Sequence, residues 1–92
     1  MRVKLFASMR EAAGDKETLV EVAPGTPVRE VVVRLVERYP GLAGRVMDER
    51  GNLKDAVSIF ANGRNVRLFD GLDTRLQGDE ELAVFPPVGG GR

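Results

Sequence analysis

Only one stretch of this chain has the length and period of a substantial helix. Val28, Val31, Val32, Leu35 and Tyr39 recur at spacings of three and four and lay one apolar stripe along residues 28–39. Glu30, Arg34, Glu37 and Arg38 fall mostly on the other side, with Glu30 four residues ahead of Arg34, the favourable order for an ion pair. Thr26 reads as the N-cap and Pro27 as the first helical residue, where a missing N–H costs nothing. Pro40-Gly41 reads as the stop. The five valines of this segment make it a poor helix former, because β-branching removes χ1 freedom. The run VREVVVRLV therefore competes as a strand, and the caps and the period decide for helix. Packing rather than propensity has to hold such a helix, so the rest of the chain must supply an apolar surface to cover it.

The flanks read as that surface. Arg2–Ala7 alternates Val3 and Leu5 with Lys4 and Phe6, the pattern of a half-buried strand. Residues 8–14 fit a short helical turn closed by Gly14, and Glu17–Val22 a second strand. Ala23-Pro24-Gly25 is turn chemistry. After the helix, Leu42–Met47 fits a second short helix and Asp48–Asn52 a loop. Val57–Ala61 reads as a strand, Asn62-Gly63 as a tight hairpin turn, and residues 65–68 as the return. Phe69–Asp79 carries no period, and Glu81–Phe85 turns Leu82 and Val84 inward as a last strand. Pro86-Pro87 ends any ladder, since neither has a backbone donor. The order is β-β-α-β-β-β in 92 residues, an α+β fold with a mixed sheet packed on one main helix. If the last strand inserts beside the first, the sheet is a β-grasp sheet. The chain divides into one domain, residues 1–86, and a C-terminal tail, residues 87–92, expected to be flexible.

Composition then removes whole classes of chemistry. There is no Cys and no His, which excludes thiol nucleophiles, disulfides, imidazole bases and Cys/His metal sites. No metal site is expected. Lys+Arg and Asp+Glu are both 14, so a chain of zero formal charge lacks the cationic surplus that general nucleic-acid binding requires. The carboxylates of Asp48/Glu49 and Asp79/Glu80/Glu81 are sequence neighbours on turns and do not face each other across a cleft, as acid/base pairs must. No apolar run approaches a membrane span, and the N-terminus lacks the apolar middle of a signal peptide, so a cytoplasmic protein is expected.

The tail, PPVGGGR, is the remaining feature. It is open to two readings. One is a frayed terminus or a remnant of cloning. The other is a functional extension, because a glycine segment threads a narrow groove and ends in a sterically open acyl group. From Pro87 to Gly90 or Gly91 an extended chain reaches about 10–13 Å. Activated with ATP as an acyl-adenylate, a terminal glycine carboxyl would be attacked by a sulfide source or an amine, with no Cys or His of its own required.

The order of elements, the NG hairpin in IFANGRNV, the strings KLFASMREAAG and ERYPGL and, above all, GDEELAVFPPVGGG resemble the ubiquitin-like sulfur-carrier family. The likeness runs along nearly the whole chain. It is nearest to the MoaD-like small subunit of molybdopterin synthase and to the small archaeal modifier proteins; thiamine-pathway carriers are similar but usually shorter and without FPPV. The resemblance implies a β-grasp fold that is non-catalytic alone and at most the small subunit of an enzyme. It implies that a ubiquitin-activating-type adenylyltransferase uses ATP on the last glycine, with no cofactor bound. The thiocarboxylate formed there would give its sulfur to a pterin precursor on the large subunit of molybdopterin synthase. In the modifier role the same carboxyl would join target-protein lysines. The family's final pair falls on Gly90 and Gly91, so Gly91 is the expected reacting residue. Arg92 departs from the pattern and ties up the Gly91 carbonyl. Trimming by a processing protease, a cloning origin, or loss of the carrier function would each explain it.

A partner surface is also expected. Strand alternation places Lys4 and Phe6 opposite Val3 and Leu5, and Phe85 opposite Leu82 and Val84. Phe60 alternates with Ile59. A patch of Phe6, Phe60 and Phe85 on the outer face, running into Pro86 and Pro87, would bind a partner protein; otherwise these rings fill the core of an aromatic-poor chain.

Overall fold

The computed structural model describes residues 1–87. Five strands form the main sheet in the order β2-β1-β7-β4-β5. They are β1 (Arg2–Leu5), β2 (Glu17–Leu19), β4 (Ser58–Ala61), β5 (Arg64–Asn65) and β7 (Glu81–Phe85). The last strand lies in the middle. It runs parallel to β1 with Leu5 opposite Val84, and antiparallel to β4 with Ser58 opposite Phe85. This is the insertion on which a β-grasp sheet depends.

Helix α2 (Val28–Arg38) packs across one face. Val28, Val31, Val32 and Leu35 share a single buried cluster with Val3 and Leu5 of β1, Ile59 of β4, and Leu82 and Val84 of β7. Each such side chain contributes about 1.5–3 kcal/mol on burial, which holds a helix that its valines would otherwise disfavour. Glu30 and Arg34 make the expected ion pair at 3.3 Å. Arg38 donates from Nη1 to the Leu19 carbonyl at 2.6 Å, and Arg34 to that of Glu21, tying the helix to the edge strand. Tyr39 leaves helical geometry at φ −126°, as the residue before a proline does.

A short helix α1 (Ser8–Ala13) ends as expected at Gly14, in the left-handed conformation at φ 80°. It packs on the 3₁₀ turn Pro40–Leu42. The approach is so close that a Cβ on Gly41 would stand 2.1 Å from the Ala12 carbonyl oxygen. The Asn62-Gly63 turn has φ of 50° and 80°, both positive, as a two-residue turn between strands of this twist requires.

Several local expectations are corrected. Thr26 does not cap α2. Its hydroxyl donates to the Ala23 carbonyl at 2.7 Å, and Thr26–Pro27 form a short strand, β3. This strand pairs with β6 (Arg75–Leu76), inside the stretch expected to be irregular. The first helical N–H, that of Val28, is satisfied by the Thr74 carbonyl at 3.0 Å, so backbone pairing takes the place of a side-chain cap. Leu42–Met47 is not a helix. Gly44 sits at φ 76°, and Met47 bridges to Leu53 across the Asp48–Asn52 loop. The first strand ends at Leu5 rather than Ala7, which adopts φ 48° in the turn into α1. The second ends at Leu19, because its pairing reaches Met1 with Val20 and there finds the end of its neighbour. The return strand after the hairpin has only two residues. Asn65 Oδ1 accepts from the Arg67 N–H at 2.9 Å and turns the chain into a 3₁₀ turn at Val66–Leu68.

Candidate functional site

Because β7 is the middle strand, its end sets where the chain leaves the sheet. The Phe6 N–H donates to the Val84 carbonyl at 3.2 Å, the last rung on that side. Pro86 and Pro87 have no N–H, so the ladder cannot continue past Phe85.

Alternation along three adjacent strands then brings the phenylalanines together on the face opposite α2. Phe6 and Phe85 stack with centroids 4.4 Å apart and planes 8° from parallel. Phe60 meets Phe85 edge-on at 5.6 Å and 88°. All three rings are half-buried, on the sheet's outer surface and not in the core cluster. Such pairs add about 0.5–1.5 kcal/mol each beyond their area burial, enough to fix the rings in one arrangement. Ala83 lies between them, and its small side chain leaves a shallow groove lined also by Lys4, Gly63 and Glu81.

Charges rim the apolar floor. Lys4 Nζ and Arg2 Nη1 each stand 3.6 Å from Glu81 Oε2. The Arg10 guanidinium lies 6.0 Å from the Phe6 centroid while its Nε donates to the Leu5 carbonyl at 3.3 Å. These side chains are exposed or half-exposed and screened by water, so the rim steers and orients rather than stabilises.

The structure thus places Phe6, Phe60 and Phe85 in one cluster, with Pro86 and Pro87 leading away from it. The expected reacting pair Gly90 and Gly91, and Arg92, lie outside the described residues. Reading single residues for chemistry missed Arg10, Ala83 and Glu81. Period-2 alternation from Phe85 would have found Ala83 and Glu81; Arg10 meets Phe6 only through the turn at Ala7. Among the described residues no group of three or more Asp or Glu side chains converges to hold a metal ion. No helix among them is long and apolar enough to cross a membrane.

A central last strand parallel to the first, one covering helix and an aromatic outer face at the chain's exit define a ubiquitin-like β-grasp protein. The chain belongs to the ThiS family, which matches residues 3–91. Small archaeal modifier proteins 3 and 1 of Haloferax volcanii are each 37% identical over 91 residues, covering 99% of this chain and 98% and 100% of theirs. The crystal structure of protein 1 superposes with a TM-score of 0.85 at 34% identity, over 97% of this chain and 96% of that one. The sulfur carrier protein CysO of Mycobacterium tuberculosis is 32% identical over 71 residues, 75% of this chain and 76% of its own. A Pyrococcus furiosus structure assigned as molybdopterin converting factor subunit 1 superposes with a TM-score of 0.74 at 31% identity, over 95% of each chain. The protein is accordingly of the sulfur-carrier and ubiquitin-like modifier kind.

Proposed function

We propose that the protein carries sulfur on its own C-terminus for molybdopterin synthesis. After removal of Arg92 by a protease, an adenylyltransferase of the ubiquitin-activating type joins the Gly91 carboxyl to AMP from ATP. A sulfur donor then displaces AMP to leave a thiocarboxylate. With the carrier seated on the large subunit of molybdopterin synthase, that sulfur passes to a pterin precursor.

One observation carries this reading: the three-phenylalanine face lies at the root of the tail. A partner that grips Phe6, Phe60 and Phe85 receives Pro86, Pro87 and the glycines beyond them in a fixed direction. About 13 Å of extended chain separates Pro87 from Gly91, enough to enter a recessed active site. The carrier holds no Cys or His to act as thiol nucleophile or imidazole base, so on this reading the partner enzymes supply those groups.

A second reading, conjugation of Gly91 to lysines of target proteins, is favoured by the similarity to two small archaeal modifier proteins. Both readings share the activation step and part at the acceptor.

The test incubates the full-length and Arg92-deleted chains with the activating enzyme and ATP and follows adenylation by pyrophosphate exchange. Only the deleted form is expected to react, and equal exchange by both would show that Arg92 is no barrier. A thiocarboxylated chain recovered on the large synthase subunit supports the carrier. Isopeptide-linked conjugates on other proteins in its place support the modifier.

A further inference from the structure

We propose that the open edge of β2 takes an extended segment of another protein as an added strand, a segment with an apolar residue flanked first by acidic and then by basic ones. The proposal needs no activation of Gly91 and does not use the phenylalanine face.

β2 is an outer strand of the sheet, with β1 on its inner side. The Lys16 carbonyl accepts from the Leu5 N–H at 2.9 Å, and Val20 exchanges two bonds with Met1, at 2.9 and 2.8 Å. Alternation then turns the backbone groups of Thr18 to β1 as well, and those of Glu17, Leu19 and Glu21 outward. Among the described residues no carbonyl accepts from the Leu19 or Glu21 N–H. The Leu19 side chain is 67% exposed, a large apolar group on an open edge. Folded proteins blunt such edges, because they invite pairing.

Here the blunting is reversible. Arg38 Nη1 donates to the outward Leu19 carbonyl and to Thr18 Oγ1, and Arg34 Nη1 donates to the outward Glu21 carbonyl. All three bonds are exposed, so exchanging the two carbonyl contacts for those of an incoming strand costs little. Once displaced, Arg34 keeps its ion pair with Glu30, and Arg38 its bond to Thr18.

Charge decides the occupant, because the two sides of the edge differ in sign. Glu17 and Glu21 flank Leu19 on the outer side. Glu17 meets Arg2 only at 3.8 Å, and Glu21 has no ion pair among the described residues. On the helix side, next to Thr18 and Val20, stand Arg34 and Arg38. In an antiparallel strand centred on Leu19, basic residues fit opposite Glu17 and Glu21 and acidic ones opposite Thr18 and Val20, with an apolar residue on Leu19. A slip of one residue would set bases on the arginines and acids on the glutamates, so the same charges fix the register. A second copy of this chain does not fit. Pairing β2 with itself about Leu19 sets Glu17 opposite Glu21 twice, and like charges directly opposite repel. Main-chain bonds would supply the affinity and alternate side chains the selectivity.

The test titrates the isotope-labelled full-length chain with a capped peptide containing Lys-Glu-Val-Glu-Lys and with its charge-swapped isomer, Glu-Lys-Val-Lys-Glu. The first peptide should shift the amide signals of residues 17–21 and slow hydrogen exchange at the Leu19 and Glu21 N–H groups. The second, of identical composition and net charge, should bind about tenfold or more weakly. Leu19→Pro removes an outward donor without touching a bond to β1, and it should abolish binding. Glu21→Lys, at an exposed position, should keep the wild-type Tm and weaken the first peptide severalfold. Equal binding of the two peptides, shifts confined to the phenylalanine face, the same shifts on raising protein concentration alone, or no binding at about 1 mM peptide would each overturn the proposal.

Discussion

Gly41 shows how a single residue can be required for space alone. Its backbone is not in the left-handed region, yet any side chain there would drive a carbon into the Ala12 carbonyl oxygen. The contact joins α1 to the turn after α2, so relief requires moving one of them. Gly41→Ala is expected to cost about 2–3 kcal/mol, lowering Tm by roughly 10–20 °C in a domain of this size. A Tm within a few degrees of wild type would show that the two elements separate freely. In the sequence this glycine looks like a helix stop. The stop itself comes from Pro40, and the reason for glycine appears only when Ala12, far off in the chain, is brought against it.

At the scale of elements, the turn that feeds β7 depends on a carboxylate. Glu80 accepts from the Gln77 N–H at 2.7 Å and the Gly78 N–H at 2.9 Å. Partial burial pushes its carboxyl up, but the backbone N–H bonds outweigh this and hold it below the ordinary glutamate value. A carboxyl with a lowered pKa in the folded state stabilises the fold above its unfolded value and loses that contribution as pH falls through the folded one. The Tm of wild type should therefore exceed that of Glu80→Gln at neutral pH, with the gap closing in the acid range. Parallel Tm curves across that range would remove the carboxylate from the account. The long elements of the chain were legible because a period of 3.6 or 2 repeats within them: α2 and its buried stripe, the outer and inner sides of β1, and β7. The two-residue strands β3 and β6 were not legible, because two residues hold no period; the return strand β5 was legible only through the Asn62-Gly63 turn before it, and its bounds were not. Thr26 was misread for the same reason: the partner of β3 lies in β6, some fifty residues away in sequence, and local capping rules do not see it.

For the whole molecule, the arrangement that matters is a central strand ending in two prolines beside an aromatic face. Phe85 belongs to both, touching Phe6 by its face and Phe60 edge-on. Phe85→Ala is expected to weaken binding to the activating enzyme by about tenfold or more, as loss of a central aromatic anchor does, while lowering Tm by less than Gly41→Ala. The opposite order would make Phe85 a core residue first. The sequence by itself determined the class of fold, the inward and outward sides of the long strands, the absence of thiol and imidazole chemistry, and the family resemblance carried by FPPVGGG. These follow from composition and from periods that repeat over a few residues. Only the tertiary structure decided that β7 enters between β1 and β4, and that Phe60 of β4, Phe85 of β7 and Phe6 just past β1 form one cluster. Each of those depends on contacts between residues distant in the chain, and such contacts are settled by how the whole core closes.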